Sequence, residues 1–386
     1  PLDELERMVQ ERFGAIANRN LEPKVHPHPL YDTSRLPEKV TAETLKDNRS
    51  MTLSFPIPSQ QRYYKSKPAA YVANLLGHEG PGSLFDVLKR AGMVESLSAG
   101  TGMDTGEHAT LDISMSLTRE GLEHQDEIIA LTFEYIDRIR DNGISQQRFN
   151  EMRQLAMIDF RFRERAEAQS EAMRLSRLLK DYPPEDVLSA PWLLERYAPE
   201  QYRAILNQLK PANLKVWIAA PNLDASEPNL TRWYQTPWVR TPLNLDNPAA
   251  PSLAEQLALP ESNPFVPEDL ELVGGDSMAH PEKIAELDGL DIWYARDTRF
   301  ATPKANLFVS LRTPAARESA RSSVLTQLLV DAINTNLNAW AYSARLAGLD
   351  YSVYPHLRGV TIRVGGYSDK LHKLANQILL EFANPA

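Results

Sequence analysis

Cysteine is absent from all 386 residues. That rules out disulfides, thiolate zinc sites and a cysteine nucleophile, and leaves the redox compartment open. Basic residues are outnumbered, with 42 Lys and Arg against 51 Asp and Glu and a formal net charge of −9. Phosphate neutralisation needs a basic footprint, so nucleic acid is not an expected partner. No apolar run approaches the roughly 18 residues of a membrane span, so a membrane is not expected either. The N-terminus, beginning Pro1-Leu2-Asp3, has neither an initiator Met nor a signal-peptide layout. It starts as if inside a helix, which leads to the expectation of a piece excised from a longer polypeptide. Composition is otherwise that of a globular protein, and the length calls for two or more cores.

The most informative stretch is Tyr71–Gly102, YVANLLGHEGPGSLFDVLKRAGMVESLSAGTG. An apolar run from Tyr71 to Leu76 predicts a helix, and His78-Glu79-Gly80-Pro81-Gly82 interrupts it. Ser83 is placed to cap a second helix that Gly92 closes, and Val94–Ser98 alternates as a strand. Before this stretch, residues 1–20 read as an amphipathic helix. Residues 21–36 read as an extended connector, in which the His26-Pro27-His28-Pro29 pair favours a linker over a zinc site. Lys39–Leu45 and Met51–Ile57 read as paired strands joined by a turn at Lys46-Asp47-Asn48.

After it, Ala109–Leu117 alternates cleanly, and Thr118 caps a helix predicted to run to Asn142. Its charged side (Glu123, Glu127, Asp137, Arg138) reads as a solvent face. Helices follow at Gln146–Arg165, Glu167–Lys180, Ala190–Tyr197 and Pro199–Leu209, then a strand at Leu214–Ala219. Pro221 to Pro267 is proline-rich and lacks periodicity, and it reads as a linker lying along a surface. Strands at Asp291–Ala295 and Ala305–Arg312, a helical stretch at Ala320–Leu346, a strand pair at Asp350–Pro355 and Gly359–Tyr367 and a helix at Asp369–Phe382 complete the chain. Trp192, Trp217 and Trp340 are expected in cores. The FRFRER run at 160–165 reads as a solvated helix face rather than a polyanion site.

The two halves echo each other. An offset of 256 residues carries Met51–Pro58 onto Leu307–Pro314, Arg90–Met93 onto Leu346–Leu349, and Leu97-Ser98 onto Val353-Tyr354. Thr118-Arg119-Glu120 then match Ser368-Asp369-Lys370. Preserved order and spacing predict a duplicated α+β fold, an antiparallel sheet with helices packed on one face in each copy, the second truncated.

These residues carry a family resemblance. FPIPSQQRYYKSKPAAYVANLLGHEGPGSLFDVLKRAGMVESLSAG at 55–100, LTREGLEHQDEIIALTFEYI at 117–136, DYPPEDVL at 181–188 and AYSARLAGLDYSV at 341–353 resemble the M16 zinc metallopeptidases of the insulinase–pitrilysin branch. The resemblance covers the whole chain. It implies that residues 1–22 are the last helix of a first, zinc-bearing domain. Residues 37–245 would be the complete, non-catalytic second domain, 246–264 a Pro-rich linker, and 265–386 a truncated third domain. It also implies a zinc-dependent endopeptidase that cleaves peptides in an enclosed chamber, whose partners would be peptide substrates and the missing first and fourth domains. The family holds zinc on an H-x-x-E-H motif. None of the eight histidines stands in that pattern. The zinc would therefore belong to the full-length parent, with no metal ligand and no catalytic residue here, and the fragment alone would be inactive.

Peptide anchoring is the remaining role. The resemblance places a peptide-holding exosite on the edge strand Leu97-Ser98-Ala99-Gly100-Thr101, with His78 and Gly82 beside it. His78 and Glu79 are read as a turn with a capping histidine rather than an acid–base pair. An alternative from another class is a non-catalytic partner subunit or scaffold that binds peptides or another M16 chain. A periplasmic or secreted location follows from the resemblance, with the cytoplasm as the other option. Newly exposed apolar faces predict self-association of the fragment.

Overall fold

The computed structural model describes residues 1–21, 28–223, 227–243, 245, 249–356 and 358–383. His26 and Pro27, positions 246–248 of the expected linker and the last three residues lie outside it. In chain order the elements begin with α1 (Leu2–Phe13), β1 (Glu38–Glu43), β2 (Ser50–Pro58), α2 (Pro68–Leu76), α3 (Leu84–Arg90), β3 (Val94–Asp104) and β4 (His108–Leu117). A run of helices follows: α4 (Arg119–Glu123), α5 (Gln125–Asn142), α6 (Gln146–Arg161), α7 (Ala168–Leu178) and α8 (Pro199–Leu206). Then come β5 (Lys215–Ala220), β6 (Asn229–Leu230), β7 (Pro237–Pro242) and α9 (Pro251–Ala254). The second half contains β8 (Glu282–Leu287), β9 (Leu290–Tyr294), β10 (Lys304–Arg312), α10 (Ala320–Leu346), β11 (Leu349–His356), β12 (Gly359–Tyr367) and α11 (Ser368–Ala383).

The first unit is a seven-stranded sheet in the order β3-β4-β2-β5-β1-β7-β6. It is antiparallel except where β1 runs parallel to β5. Met51, Leu53 and Phe55 of β2 alternate onto the face covered by α2, α3 and α5 and are fully buried there. The second unit has the three-stranded sheet β10-β12-β11 under α10 and α11. Its order reproduces β2-β4-β3 of the first. Gly92 and Gly348, an offset of 256 apart, both take a positive φ (72° and 76°) just after a helix. The duplicated α+β fold is thus present in the topology.

Several expectations are corrected. β1 and β2 do not form a hairpin, because β5 lies between them and bonds to both. The turn residues reverse the chain, but a more distant apolar strand, Val216-Trp217-Ile218, takes the central place. The predicted helix at 118–142 starts on the Thr118 cap, whose Oγ1 accepts from the Gly121 amide at 3.0 Å. It is interrupted at His124, where φ and ψ are −106° and 33°. Ala190–Tyr197 forms a single 3₁₀ turn over Ala190–Trp192 and then extends, since the Glu195 amide donates to the Lys65 carbonyl at 2.8 Å instead of continuing a helix. FRFRER straddles a helix end, as α6 stops at Arg161. The first helix ends at Phe13 rather than near residue 20.

Two further departures concern what covers what. The proline-rich 221–267 stretch contributes β7, which pairs with β1, and buries Leu257 in the first core. Its prolines at 237 and 242 stand at the ends of β7, where a missing donor costs least. β8 was not anticipated. Trp217 is 44 % exposed on β5 rather than in a core. It lies on the sheet face away from the helices, where Lys215 Nζ stands 4.3 Å from its ring centroid and 4.8 Å from that of Tyr31. Packed rings and the Glu38 carboxylate, 2.8 Å away, hold the Lys215 ammonium out of water.

Candidate functional site

Two turns of α2 end at Gly77, and the backbone then leaves the helix because Gly80-Pro81-Gly82 cannot extend it. The His78 imidazole folds back, its Nδ1 accepting from the Gly80 amide at 3.0 Å. A Cβ on Gly80 would lie 2.6 Å from that ring, so only glycine fits beneath it. Gly82 has φ 74°, and its carbonyl accepts from the Ala258 amide at 2.7 Å. Ser83 then caps α3, its Oγ accepting from the Asp86 amide at 3.1 Å, while Asp86 Oδ2 accepts from the Gly82 amide at 2.8 Å. Caps of this kind each contribute about 1 kcal/mol.

His78 is buried, and burial followed by the Arg148 charge pushes its pKa down to about 4. The ring is neutral at pH 7 and meets Tyr342 of α10 edge-on at 4.7 Å. Arg345, one turn further along, stands 3.9 Å from Glu79. Burial, then the Glu79 charge, raises the Tyr342 hydroxyl to about 12. The His78–Gly82 loop is thus held between Ala258 and the second unit's helix.

β3 is the edge strand of the large sheet, with β4 as its one strand neighbour among the described residues. Register shifts break its pairing between Val94 and Ser96 and between Thr101 and Asp104. The stretch Ser96–Thr101 between them pairs continuously with Leu111–Ser116. Leu97 and Ala99 face the helices: Leu97 is buried, and a Cβ on Gly77 would lie 3.1 Å from the Ala99 nitrogen. Ser96, Ser98 and Gly100 alternate onto the other face, beside a row of hydroxyls. There Ser96 Oγ bonds Ser116 Oγ at 3.0 Å, and Thr52 Oγ1 lies 3.1 Å from Ser114 Oγ. A Cβ on Gly100 would meet nothing within 4 Å.

The sequence-predicted residues therefore fall in two adjoining places. Leu97–Thr101 form the regular part of an edge strand, and Gly82 lies in the loop packed beside α3. His78 is buried, and its Nδ1 is committed to Gly80. A cleft of about 440 Å³ opens next to them, lined by Glu79, Phe85, Glu95, Leu97, Tyr342 and Arg345. Sequence reasoning missed Tyr342 and Arg345 as parts of this site. The AYSARLAG run that contains them carries part of the family resemblance, but nothing in it tells which loop it packs against. Among the described residues no group of three or more His, Asp or Glu is arranged to hold a metal ion. The described residues do not fit a zinc site, and no chemistry through zinc is assigned to them.

Comparison with known proteins gives consistent results. The description "Peptidase M16 inactive domain" matches residues 1–155, and "Middle or third domain of peptidase_M16" matches residues 160–385. The chain is 32 % identical to the insulin-degrading enzyme of Drosophila melanogaster, over 98 % of this chain and 39 % of that protein. It is 31 % identical to the human insulin-degrading enzyme, over 99 % and 38 %. A putative zinc protease of Schizosaccharomyces pombe is also 31 % identical, over 98 % and 40 %. The crystal structure of pitrilysin superposes on all of this chain and 42 % of its own, with a TM-score of 0.85 and 26 % identity. The chain spans about two-fifths of the length of these relatives. With family matches covering both halves of the chain, the protein belongs to the M16 peptidase family, on the branch of insulin-degrading enzyme and pitrilysin.

Proposed function

We propose that this chain is the peptide-anchoring, non-catalytic part of an M16 zinc metalloendopeptidase. In this reading its first unit forms chamber wall, and β3 captures an extended peptide by strand addition. The observation that carries the reading is the unpaired outer edge of β3 along Leu97–Thr101. Such an edge offers main-chain donors and acceptors to any extended peptide, and the small residues Ser98, Ala99 and Gly100 let a second backbone come close. His78 contributes by holding the loop that ends in Gly82, not by proton transfer. Peptides would be selected by extended conformation rather than by one side chain. Zinc and the water-activating carboxylate would be supplied by further M16 domains, which are also the expected partners.

The test is titration of the chain with an extended peptide of about ten residues, followed by amide exchange. Slowed exchange confined to Leu97–Thr101 is expected, and an Ala99→Pro variant should lose it. Equal binding by that variant would remove β3 from the reading. A quenched fluorogenic peptide with added zinc should not be turned over; chelator-sensitive turnover would place a metal site within these residues. The exposed stripe Leu2, Leu5, Val9 and Phe13 of α1 should drive self-association. A monodisperse monomer in sedimentation at concentrations on the order of tens of micromolar would refute that part.

A further inference from the structure

A strand edge offers the same amides and carbonyls to every extended peptide, so a preference for charge has to come from the walls around it. Beside β3 that wall is the cleft closed by α10. Successive residues of a strand point to opposite faces, and Leu97, which lines the cleft, is on the helix side. The side chain level with it on an added strand enters the cleft. The charged groups bordering it, Glu79, Lys89, Glu95 and Arg345, are not equivalent. Lys89, in the last turn of α3, lies over the Phe85 ring at 5.1 Å. Glu95 is exposed on β3 and turns an incoming acid away from the strand wall. Glu79 stands 3.9 Å from Arg345, too far for a hydrogen bond. Arg345 is held by its own helix: Nη1 donates to the Asn338 side-chain oxygen at 3.0 Å, and Nη2 to the Asn338 carbonyl at 3.4 Å. Among the described residues its hydrogen bonds go to Asn338 alone. A guanidinium carries five N–H donors in a fixed fork, so most of them remain for a ligand. Asp350, which borders the neighbouring cleft with Arg345, is already paired with Arg363.

We infer that this cleft is a subsite for an acidic side chain of the captured peptide, with Arg345 as the residue that selects it. The inference rests on β3 being the strand that captures peptide. Extended conformation decides which peptides add to β3, and the cleft then ranks them, favouring Asp or Glu level with Leu97 over Gln or Lys. A carboxylate accepts two parallel N–H bonds from the guanidinium fork, whereas an ammonium would face a like charge. Glu79 does not cancel the preference. A ligand carboxylate within hydrogen-bonding distance interacts more strongly with Arg345 than Glu79 does from 3.9 Å. Asn338 acts as the positioning residue, since its side chain fixes the fork one to two turns away on the same helix.

The probes are extended peptides of about ten residues built from Ser, Thr and Val, with one Glu moved through successive positions. Matched sets carry Gln or Lys in its place. Affinity for the full chain is measured by titration, and amide exchange of residues 97–101 reports strand addition. At one register the Glu peptide should bind about tenfold more tightly than its Gln counterpart, and the Lys peptide more weakly than either. In the Arg345→Glu chain the order of Glu and Lys should reverse, which a chain that merely failed to fold cannot do. Arg345→Gln should make the Glu and Gln peptides equal. Equal affinity of all three sets in the unmodified chain, with residues 97–101 protected, would overturn the inference and leave the strand-capture reading standing. A Glu preference that survives Arg345→Glu would also overturn it. Absence of binding by every peptide at about 1 mM would remove both.

Discussion

In the first unit the helix facing the sheet is broken at His78–Gly82; in the second it runs through Ala320–Leu346 without interruption. The offset of 256 sets Asn334, Asn336 and Asn338 where the first unit has His78, Gly80 and Gly82. Asparagine is a poor helix former but keeps its amide and needs no unusual backbone, so α10 continues. Gly80-Pro81-Gly82 both removes a donor and supplies a positive φ, and the chain swings out to form the loop beside β3. A shared framework thus acquires a candidate binding site in one copy through a few residues of backbone chemistry. The copies differ equally in cover. β2 is flanked by two strands and buried, whereas β10 has one strand neighbour among the described residues and stands half open.

The largest expected contrast is in those two strands. Phe55→Ala removes a fully buried ring that meets Phe133 edge-on, and should destabilise the first unit by about 3–5 kcal/mol. Its counterpart Leu311→Ala should cost under about 1 kcal/mol, because Leu311 is already 38 % exposed. Urea unfolding followed by probes in each unit separates the two. Equal losses would mean that β10 is covered in solution.

The loop gives a contrast in pH dependence. His78 is held neutral, with its pKa lowered to about 4 from 6.5, so below pH 6.5 the unfolded chain binds the extra proton. The associated stability is complete above pH 6.5 and is lost progressively as pH falls toward about 4, by up to about 3 kcal/mol. His78→Asn, which copies the second unit's Asn334, should flatten the profile between those values. An unchanged profile would show that His78 titrates normally in the folded chain.

Smaller effects test how alike the helix ends are. Gly92→Ala should cost about 1–2 kcal/mol, the cost of a left-handed alanine, since a Cβ there meets nothing within 4 Å. Gly348→Ala should cost more, because its Cβ would lie 2.7 Å from the buried Tyr367 ring. Thermal melts of the two variants decide the order. Ser83→Ala should cost about 1 kcal/mol at the start of α3, and hydrogen exchange of the Asp86 amide should rise with it. An unchanged rate would mean that Asp86, bonded to the Gly82 amide, holds the helix start without Ser83.

Elements with strong local signals were legible: the Ser83 and Thr118 caps, the Gly/Pro break, the alternation of Ala109–Leu117 and the paired Ala-Gly turns. Legibility failed where the decision was made far away in the chain. Lys46-Asp47-Asn48 announced a reversal but not that β5, more than 150 residues later, would separate β1 from β2. Ala190–Tyr197 has helical composition, yet the Lys65 carbonyl captures the Glu195 amide. Of the candidate site, the edge-strand residues and the loop were readable, whereas Tyr342, Arg345 and Ala258 were not. Their contribution comes from packing against the loop, which leaves no mark in local periodicity.

By itself, the sequence determined where the chain turns, caps and alternates, that it repeats an α+β unit, and which family its long motifs resemble. These follow from backbone preferences and short-range spacing, which act within a few residues. Tertiary structure alone decided that β5 stands between β1 and β2, that His78 is buried and neutral, and that α10 closes the loop from the second unit. Strand neighbours, desolvation and inter-unit contacts depend on which distant surfaces meet, and that is set by the burial of the whole chain.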